Sequence, residues 1–287
     1  MAPALKPSQP ASAAPSAVLL FDIDGVIRDV GGSYRRAIAE TVQHYSGSHP
    51  DPGAIDALKA EGCWNNDWEA SLELLRRRGT ALPALEALVE VFNGFYFGGD
   101  PWGDPAAWQG FIGQEPLLVE RPFFDGLTGA GVAWGFVSGA EPPSARYVLE
   151  QRLGLTAPPL IAMGDAPDKP DPTGLLRLAQ ALAGPLGPQA PPVAYLGDTV
   201  ADVLTVQRAR QQHPDQRFWS LAVAPPHFHL PGRERERAHY EAQLLAAGAD
   251  AVIPATAQVS DHLPWMESGQ IAQASKPTSS RPTMADS

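Results

Sequence analysis

Five short, nearly all-apolar runs are the feature that most limits the folds open to this chain. They are AVLLFDI (17–23), GVAWGFVSG (131–139), PVAYLGD (192–198), RFWSLAVA (217–224) and GADAVIP (248–254). Runs of this length without polar alternation are typical of parallel strands that are buried on both faces. Helical patterns at 144–154, 172–184, 199–212 and 233–248 lie between the later runs. The alternation predicts an α/β protein with a Rossmann-like, doubly wound parallel sheet and right-handed crossovers.

The region from Ser33 to about Gln114 breaks this alternation, because it contains no convincing buried strand. In its first part, SYRRAIAETVQHY, apolar and small side chains recur at helical spacing, and Ser33 is a residue type favoured as an N-cap. Further helical patterns follow at 55–62, 67–79 and 82–97. An insertion of roughly eighty residues is long enough to form a small α-helical domain of its own.

The predicted domain organisation follows from these patterns. A sheet-containing core at 17–32 and 116–262 encloses a helical cap at 33–115, inserted after the first strand. The segments 1–16 and 263–287 are rich in Ala, Pro, Ser and other small or polar residues, and we expect them to be disordered tails.

Composition excludes several classes of partner. The net charge of −11 and the pI near 5.0 argue against a nucleic-acid surface, which needs a basic stripe. No run approaches the 18 apolar residues of a membrane span, and the N-terminal residues lack the apolar core of a signal peptide. The single cysteine, Cys63, cannot form a disulfide within the chain. We therefore expect a cytoplasmic protein, and the oligomeric state cannot be read from the sequence.

Polar side chains follow three of the predicted strands at the point where each strand ends. Asp22 and Asp24 follow the first run, Ser138 the second and Asp198 the third. Ligands of open parallel sheets bind at the carboxyl ends of the strands. Residues two apart in an extended segment point the same way, and Gly25 lets the backbone turn sharply after Asp24. Taken alone, this DxDG is about as compatible with an acidic turn as with a functional pair of carboxylates, and the metal-holding DxD of some glycosyltransferases is a second functional interpretation.

Asp198 favours a functional site over an acidic turn. It lies in LGDTVADV, and Asp202 follows one helical turn later. Asp198 could serve only as an N-cap, but capping does not explain why three carboxylates collect at one edge of the sheet. Carboxylates brought together without a cation repel one another. A hard divalent cation resolves this, and the pattern favours Mg²⁺, which keeps water ligands that a phosphate can displace.

Two further features suit a phosphate group at the same edge. The Ser138 hydroxyl and the backbone N–H groups near Gly139 can hold phosphate oxygens. Lys169 lies in DAPDKPDPTG between prolines that stiffen its backbone, ahead of a predicted helix. Each feature alone is also found without function: a strand-end Ser-Gly is commonly structural, and a surface lysine is commonly solvated.

The motifs DIDGV, FVSG, KPDP and GDTVAD occur in this order along the chain. With them, the sequence resembles the haloacid dehalogenase superfamily of phosphohydrolases over about residues 17 to 256. The place of the helical insertion resembles the phosphoglycolate-phosphatase-like branch. The resemblance implies that Asp22 is the nucleophile that forms an aspartyl-phosphate, and that Asp24 is the general acid and base.

The same resemblance implies roles for the other motif residues. Ser138, Gly139 and Lys169 would hold the phosphoryl group. Asp198 would bind Mg²⁺ together with Asp22 and the backbone carbonyl of Asp24, and Asp202 would support the metal shell or Lys169. Gly139 departs from the family pattern, in which asparagine often follows the Ser or Thr. Dehalogenating members lack the second motif aspartate, so the presence of Asp24 argues against dehalogenation.

Weaker candidates for substrate contact lie outside these motifs. They are Arg35 and Arg36 on the first cap helix, Asn65 and Asn66 in WNNDW, and Arg146 after Ser138. Each also has a structural interpretation: a solvated helix face for the arginines, and helix capping with core packing for the amides. His227 and His229 lack a third metal ligand nearby, so we interpret them as loop residues.

The sequence hypothesis is therefore a Mg²⁺-dependent phosphatase of a small phosphorylated metabolite. A phosphomutase with the same core and a catalytically silent phosphate-binding protein remain alternatives. A phosphonatase needs a cap lysine that forms a Schiff base, and Lys59 is the only lysine between Ser33 and Gln114. Its polar helical surroundings give no sign of the burial that would lower its pKa.

Overall fold

The computed structural model describes residues 14–51, 53–61, 63–64 and 66–262. Apart from residues 14–16, both predicted tails lie outside this part of the chain. No helix in the described ranges has the length and apolar character needed to cross a membrane.

A six-stranded parallel sheet forms the centre of the described structure. Its strands are β1 (Ala17–Phe21), β2 (Val132–Val137), β3 (Leu160–Ile161), β4 (Val193–Gly197), β5 (Phe218–Val223) and β6 (Ala251–Ile253). They lie in the order β3-β2-β1-β4-β5-β6, and every neighbouring pair is parallel. The predicted α/β class is confirmed. Each of the five apolar runs contains a strand, whereas β3 has only two residues and is too short to give a sequence signal.

Nine α-helices accompany the sheet within the described residues. They are α1 (Tyr34–Ser46), α2 (Ala54–Ala60), α3 (Asp67–Arg77), α4 (Leu85–Tyr96), α5 (Arg121–Gly129), α6 (Pro142–Arg146), α7 (Thr173–Ala183), α8 (Val200–Gln212) and α9 (Glu234–Ala246). A wider helical turn continues α6 through Tyr147–Arg152. Helix α5 is absent from the sequence prediction.

The alternation of side chains along β1 shows why both sheet faces must be covered. Leu19 and Phe21 belong to the apolar cluster on one face, and Val18 and Leu20 to the cluster on the other. All five residues of β1 are buried, as expected for a strand between two helical layers.

The helical segment after β1 has an apolar cluster of its own. Its buried members come from α1, α2, α3, α4 and the turn that follows, and include Ile38, Leu75 and Phe92. The chain enters and leaves this segment side by side, because the Asp29 N–H donates to the Pro116 carbonyl at 2.9 Å. We propose that 33–115 is the cap and that these two adjacent crossings form its hinge.

Candidate active site

Strands β1 and β4 are neighbours at the point where the sheet order reverses, and both lead into carboxylates. Asp22 directly follows β1 and Asp198 directly follows β4. The next residues let the backbones approach closely. A Cβ on Gly25, which has a φ of +73°, would lie 2.0 Å from Asp198 Oδ2. A larger residue at position 25 would therefore displace Asp198, and this close approach is the physical reason for the glycine in DIDGV.

Lys169 joins two of the carboxylates. Its ammonium lies 2.9 Å from Asp22 Oδ2 and 2.6 Å from Asp202 Oδ1. It also donates to the hydroxyl of Tyr195, which projects from β4 and lies 3.0 Å from Asp202. Tyr195 is a site neighbour that the sequence did not reveal, because an aromatic residue inside an apolar strand reads as core.

Asp202 both pairs with Lys169 and caps the start of α8. It accepts hydrogen bonds from the backbone and hydroxyl of Thr199, at 2.9 and 2.6 Å, and so caps the start of α8. Burial raises the pKa of Asp202, but the Lys169 ammonium and the Thr199 hydrogen bonds lower it by more, and the pKa lies below its usual value. Asp202 therefore remains a carboxylate that anchors Lys169 to a rigid helix end.

The other two carboxylates, those of Asp22 and Asp198, have raised pKa values because they are buried. Burial raises the pKa of Asp22 to about 6, against the opposing attraction of Lys169. Burial, together with the nearby Asp202 and Asp22, raises the pKa of Asp198 well above its usual value. Both raised pKa values indicate that the positive charge of nearby protein groups does not fully compensate the negative charge of these carboxylates.

This charge pattern fits a divalent cation. Oxygens of Asp22, Asp198 and Asp202 all lie within 4.8 Å of one another, and all three residues are buried. Among the described ion pairs, Lys169 is the cationic partner of Asp22 and Asp202, and no ion pair involves Asp198. Buried carboxylate oxygens in excess of nearby positive charge are the donor set of a hard metal ion.

Asp24 occupies a different environment from Asp22. Its Oδ1 accepts a hydrogen bond of 2.6 Å from Nε of Arg28, while its side chain stays 28% exposed and lines the cleft. Arg28 is completely buried. Sequence reasoning missed Arg28, because an arginine in a short turn after a strand is typical of a surface residue.

Ser138 and Gly139 follow β2 and line the same cleft. The Ser138 hydroxyl is buried and accepts a hydrogen bond of 3.2 Å from the Ala140 N–H. The Ser138 N–H donates to Ile161, so the turn is tied to β3. The structure thus brings Asp22, Asp24, Ser138, Gly139, Lys169, Asp198 and Asp202 together at one edge of the sheet.

The cleft between this edge and the cap helices has a cavity volume of about 170 Å³. Two of the predicted substrate residues line it. Arg35 pairs with Asp56, and Asn66 caps α3 by accepting from the Trp68 and Glu69 N–H groups at 2.9 and 3.2 Å. The capping interpretation of WNNDW therefore holds for Asn66, which also faces the cleft. Asn65 lies outside the described residues.

Two other predicted substrate residues do not line the cleft. Arg36 is 51% exposed and lies over the Phe111 ring at 4.0 Å, because the α-helical rotation turns it away from neighbouring Arg35. Arg146 is 63% exposed at the end of α6 and pairs with Glu150 at 3.3 Å. In this structure both arginines lie on the exposed surface, and substrate contact by either one stays a prediction.

Arg35, Asp56 and His227 line the cleft, and together with Arg233 they form a charged group that we call the mouth cluster. Asp56 on α2 pairs with Arg35 on α1 and lies 3.1 Å from Nε2 of His227 and 3.6 Å from Arg233. His227 follows β5, so this cluster joins the cap to the sheet region. Our interpretation of His227 as an ordinary loop residue was incomplete.

Comparison with known proteins identifies the family. The model of haloacid dehalogenase-like hydrolases matches residues 17–210, and the chain belongs to this family. The resemblance inferred from the four motifs is thereby confirmed, and with it the prediction of a hydrolase.

Individual relatives agree on the fold. A phosphonoacetaldehyde hydrolase-like protein from Oleispira antarctica covers 96% of this chain and 100% of its own, with 18% identity and a TM-score of 0.66. A predicted phosphoglycolate phosphatase from Haemophilus somnus covers 88% and 99%, with 12% identity and a TM-score of 0.60. At such identities the likeness concerns the fold.

One curated relative is longer than this chain. It is an imidazoleglycerol-phosphate dehydratase from Phytophthora nicotianae, 30% identical over 207 residues, which are 69% of this chain and 42% of that protein. The matched part thus spans about two fifths of the relative's length.

Proposed function

We propose that the protein is a Mg²⁺-dependent phosphatase that hydrolyses a small phosphorylated metabolite through an aspartyl-phosphate. The observation that carries the proposal is the bridge from Lys169 to Asp22 and Asp202, beside Asp198, at the floor of an open cleft. This arrangement supplies a carboxylate nucleophile and the positive charge that phosphoryl transfer requires.

Asp22 would act as the nucleophile. Its Oδ1 is held by the Ile23 N–H at 2.8 Å and its Oδ2 by Lys169, so the carboxylate has a fixed orientation. A carboxylate oxygen attacks phosphorus, the ester P–O bond breaks, and the leaving oxygen takes a proton from Asp24. Water then gives a proton to Asp24 as it attacks phosphorus, and the bond to Asp22 breaks to release phosphate.

The remaining groups would hold charge in place. Lys169 and Ser138 would bind phosphoryl oxygens at the edge of the sheet. Asp22, Asp198 and the backbone carbonyl of Asp24 would hold Mg²⁺, which when bound supplies charge neutralisation for the phosphoryl group. Asp202 would keep Lys169 oriented through the capped end of α8.

The first test is hydrolysis of an aryl phosphate in the presence of Mg²⁺. Asp22→Asn should lower turnover on the order of 10³-fold or more and abolish the acid-stable phosphate label on the protein. Asp215→Asn, at an exposed position, is the matched control and should retain full activity. Unchanged turnover in Asp22→Asn would exclude the proposed nucleophile. Full activity in excess chelator would exclude the metal.

Product analysis separates this proposal from the phosphomutase and silent-binder alternatives. A phosphatase releases inorganic phosphate in step with substrate consumption, whereas a mutase returns the phosphoryl group to a sugar. A binding protein would take up a phosphorylated ligand without acquiring a covalent label on Asp22.

The position of Lys59 is the observation that favours a second candidate function, hydrolysis of a carbon–phosphorus bond. Its side chain lines the cleft, which its sequence surroundings did not indicate. Its ammonium lies 2.5 Å from Asp67, and this contact ties the side chain to the start of α3, so we keep the phosphate ester as the substrate class. Borohydride treatment with phosphonoacetaldehyde distinguishes the two candidates: a reduced adduct at Lys59 would establish the phosphonatase, and none is expected.

A further inference from the structure

Arg28 is the largest fully buried polar side chain of the described structure, and all three of its guanidinium nitrogens are engaged. Nε donates to Asp24 at 2.6 Å, Nη1 to Glu115 at 2.9 Å and Nη2 to Ser144 at 2.8 Å. The three partners come from the loop after β1, the hinge and the core helix α6. A buried guanidinium with partners in three directions is rigidly placed.

Glu115 extends this contact to both crossings of the hinge. Its Oε1 accepts from the Ser33 hydroxyl at 2.5 Å and from the Tyr96 hydroxyl at 3.1 Å. Ser33 lies where the chain enters the cap, and Glu115 where it leaves. Arg28, Glu115, Ser33, Tyr96 and Ser144 form what we call the hinge cluster.

The cluster constrains one oxygen of Asp24 and leaves the other available. Oδ1 is occupied by Arg28, yet the Asp24 side chain remains part-exposed on the cleft wall. Oδ2 is thus the oxygen that can reach a leaving group. A proton donor must lie within hydrogen-bond distance of the leaving oxygen, so a fixed orientation of Asp24 has direct catalytic value.

We propose that Arg28 is the positioning residue for Asp24 and that, through Glu115, it couples the orientation of Asp24 to the hinge of the cap. The inference rests on the proposed function of this cleft. A lysine cannot replace the arginine, because its single ammonium cannot span the fixed directions to Asp24, Glu115 and Ser144. A shift at Glu115 reaches Asp24 through two hydrogen bonds, and a shift at Ser33 reaches it through three.

The test uses two substrates of nearly the same shape, 4-nitrophenyl phosphate and phenyl phosphate. The nitrophenolate leaves readily without a proton, whereas phenolate depends on proton donation. Arg28→Lys should lower kcat/KM for phenyl phosphate at least about tenfold more than for 4-nitrophenyl phosphate. Arg208→Lys, at an exposed position on α8, is the matched control and should leave both values unchanged.

Glu115→Gln provides a second variant in case Arg28→Lys does not fold. It keeps the size of the side chain and should shift the same ratio in the same direction by a smaller factor. An equal loss on both substrates, or no change in the ratio for either variant, would overturn the positioning role. Wild-type protein inactive on both esters would overturn the proposed function and this inference together.

Discussion

Two charged groups join the cap to the sheet region, and they differ in their access to water. The hinge cluster surrounds Arg28, whose side chain has no exposed surface, and Glu115, which is almost as deeply buried. The mouth cluster surrounds Asp56, whose side chain is 23% exposed and whose partner Arg233 is 31% exposed. Both contain carboxylates paired with arginine, so charge type does not distinguish them.

The difference in burial gives the two clusters different tasks. Water cannot replace a lost partner in the hinge cluster, and a buried charge without its partner is costly. At the mouth, Asp56 and Arg233 are part-exposed, so water can take the place of a lost partner. The comparison predicts a hinge that holds its geometry and a mouth that can open and close.

Removing Arg28 should have the largest effect on stability. Arg28→Met leaves Glu115 buried without its cationic partner and should lower the free energy of unfolding by about 3–5 kcal/mol. Urea denaturation with a fitted slope measures this loss. In the double variant Arg28→Met/Glu115→Met, much of the loss should be recovered, since both buried charges are then absent. A double variant as unstable as the single one would show that the charges are not the cause.

Removing Asp56 should have a smaller effect on stability and a distinct effect on kinetics. Asp56→Asn should lower the free energy of unfolding by about 1 kcal/mol or less, because its partners can turn to water. It should raise KM several-fold with little change in kcat, since the cap would close less tightly over substrate. Steady-state kinetics beside the same denaturation series provides the measurement. A stability loss as large as that of Arg28→Met would remove the distinction between the clusters.

The pH dependence of the mouth cluster should be the smallest effect. Burial raises the pKa of Asp56, but contact with His227, Arg35 and Arg233 outweighs burial and lowers this pKa from 3.8 to about 2. A carboxyl whose pKa is lower in the folded than in the unfolded state stabilises the protein at pH values above its unfolded-state pKa. This contribution disappears as the pH falls from about 4 to about 2. The stability difference between wild type and Asp56→Asn should therefore shrink over this window. A constant difference would exclude the charge of Asp56 as its source.

The sequence was most informative where a residue's role depends on its place along a strand. Parallel strands buried on both faces have a recognisable apolar pattern, and their carboxyl ends meet at one edge. That is why Asp22, Ser138 and Asp198 could be assigned to one site before their distances were known. Strand β3 was missed because two residues are too few to form a pattern.

Residues whose surroundings come from distant parts of the chain could not be predicted. Arg28 contacts Glu115 and Ser144, which are 87 and 116 residues away, and nothing near position 28 indicates burial. His227 lies near Asp56 only because the loop after β5 faces the cap. Arg35 and Arg36 are adjacent in sequence, and only the packing of α1 decided which of them faces the cleft.

The amino-acid sequence by itself determined the parallel sheet, the helical insertion and the set of carboxylates at the sheet edge, including the DIDGV turn. These depend on periodicity and on local backbone geometry, which neighbouring residues encode. Only the tertiary structure decided which charges are buried, which carboxylates share Lys169, and how Asp24 is tied to the hinge. Burial and ion pairing are properties of segments brought together by folding, and their energies depend on the water that folding excludes.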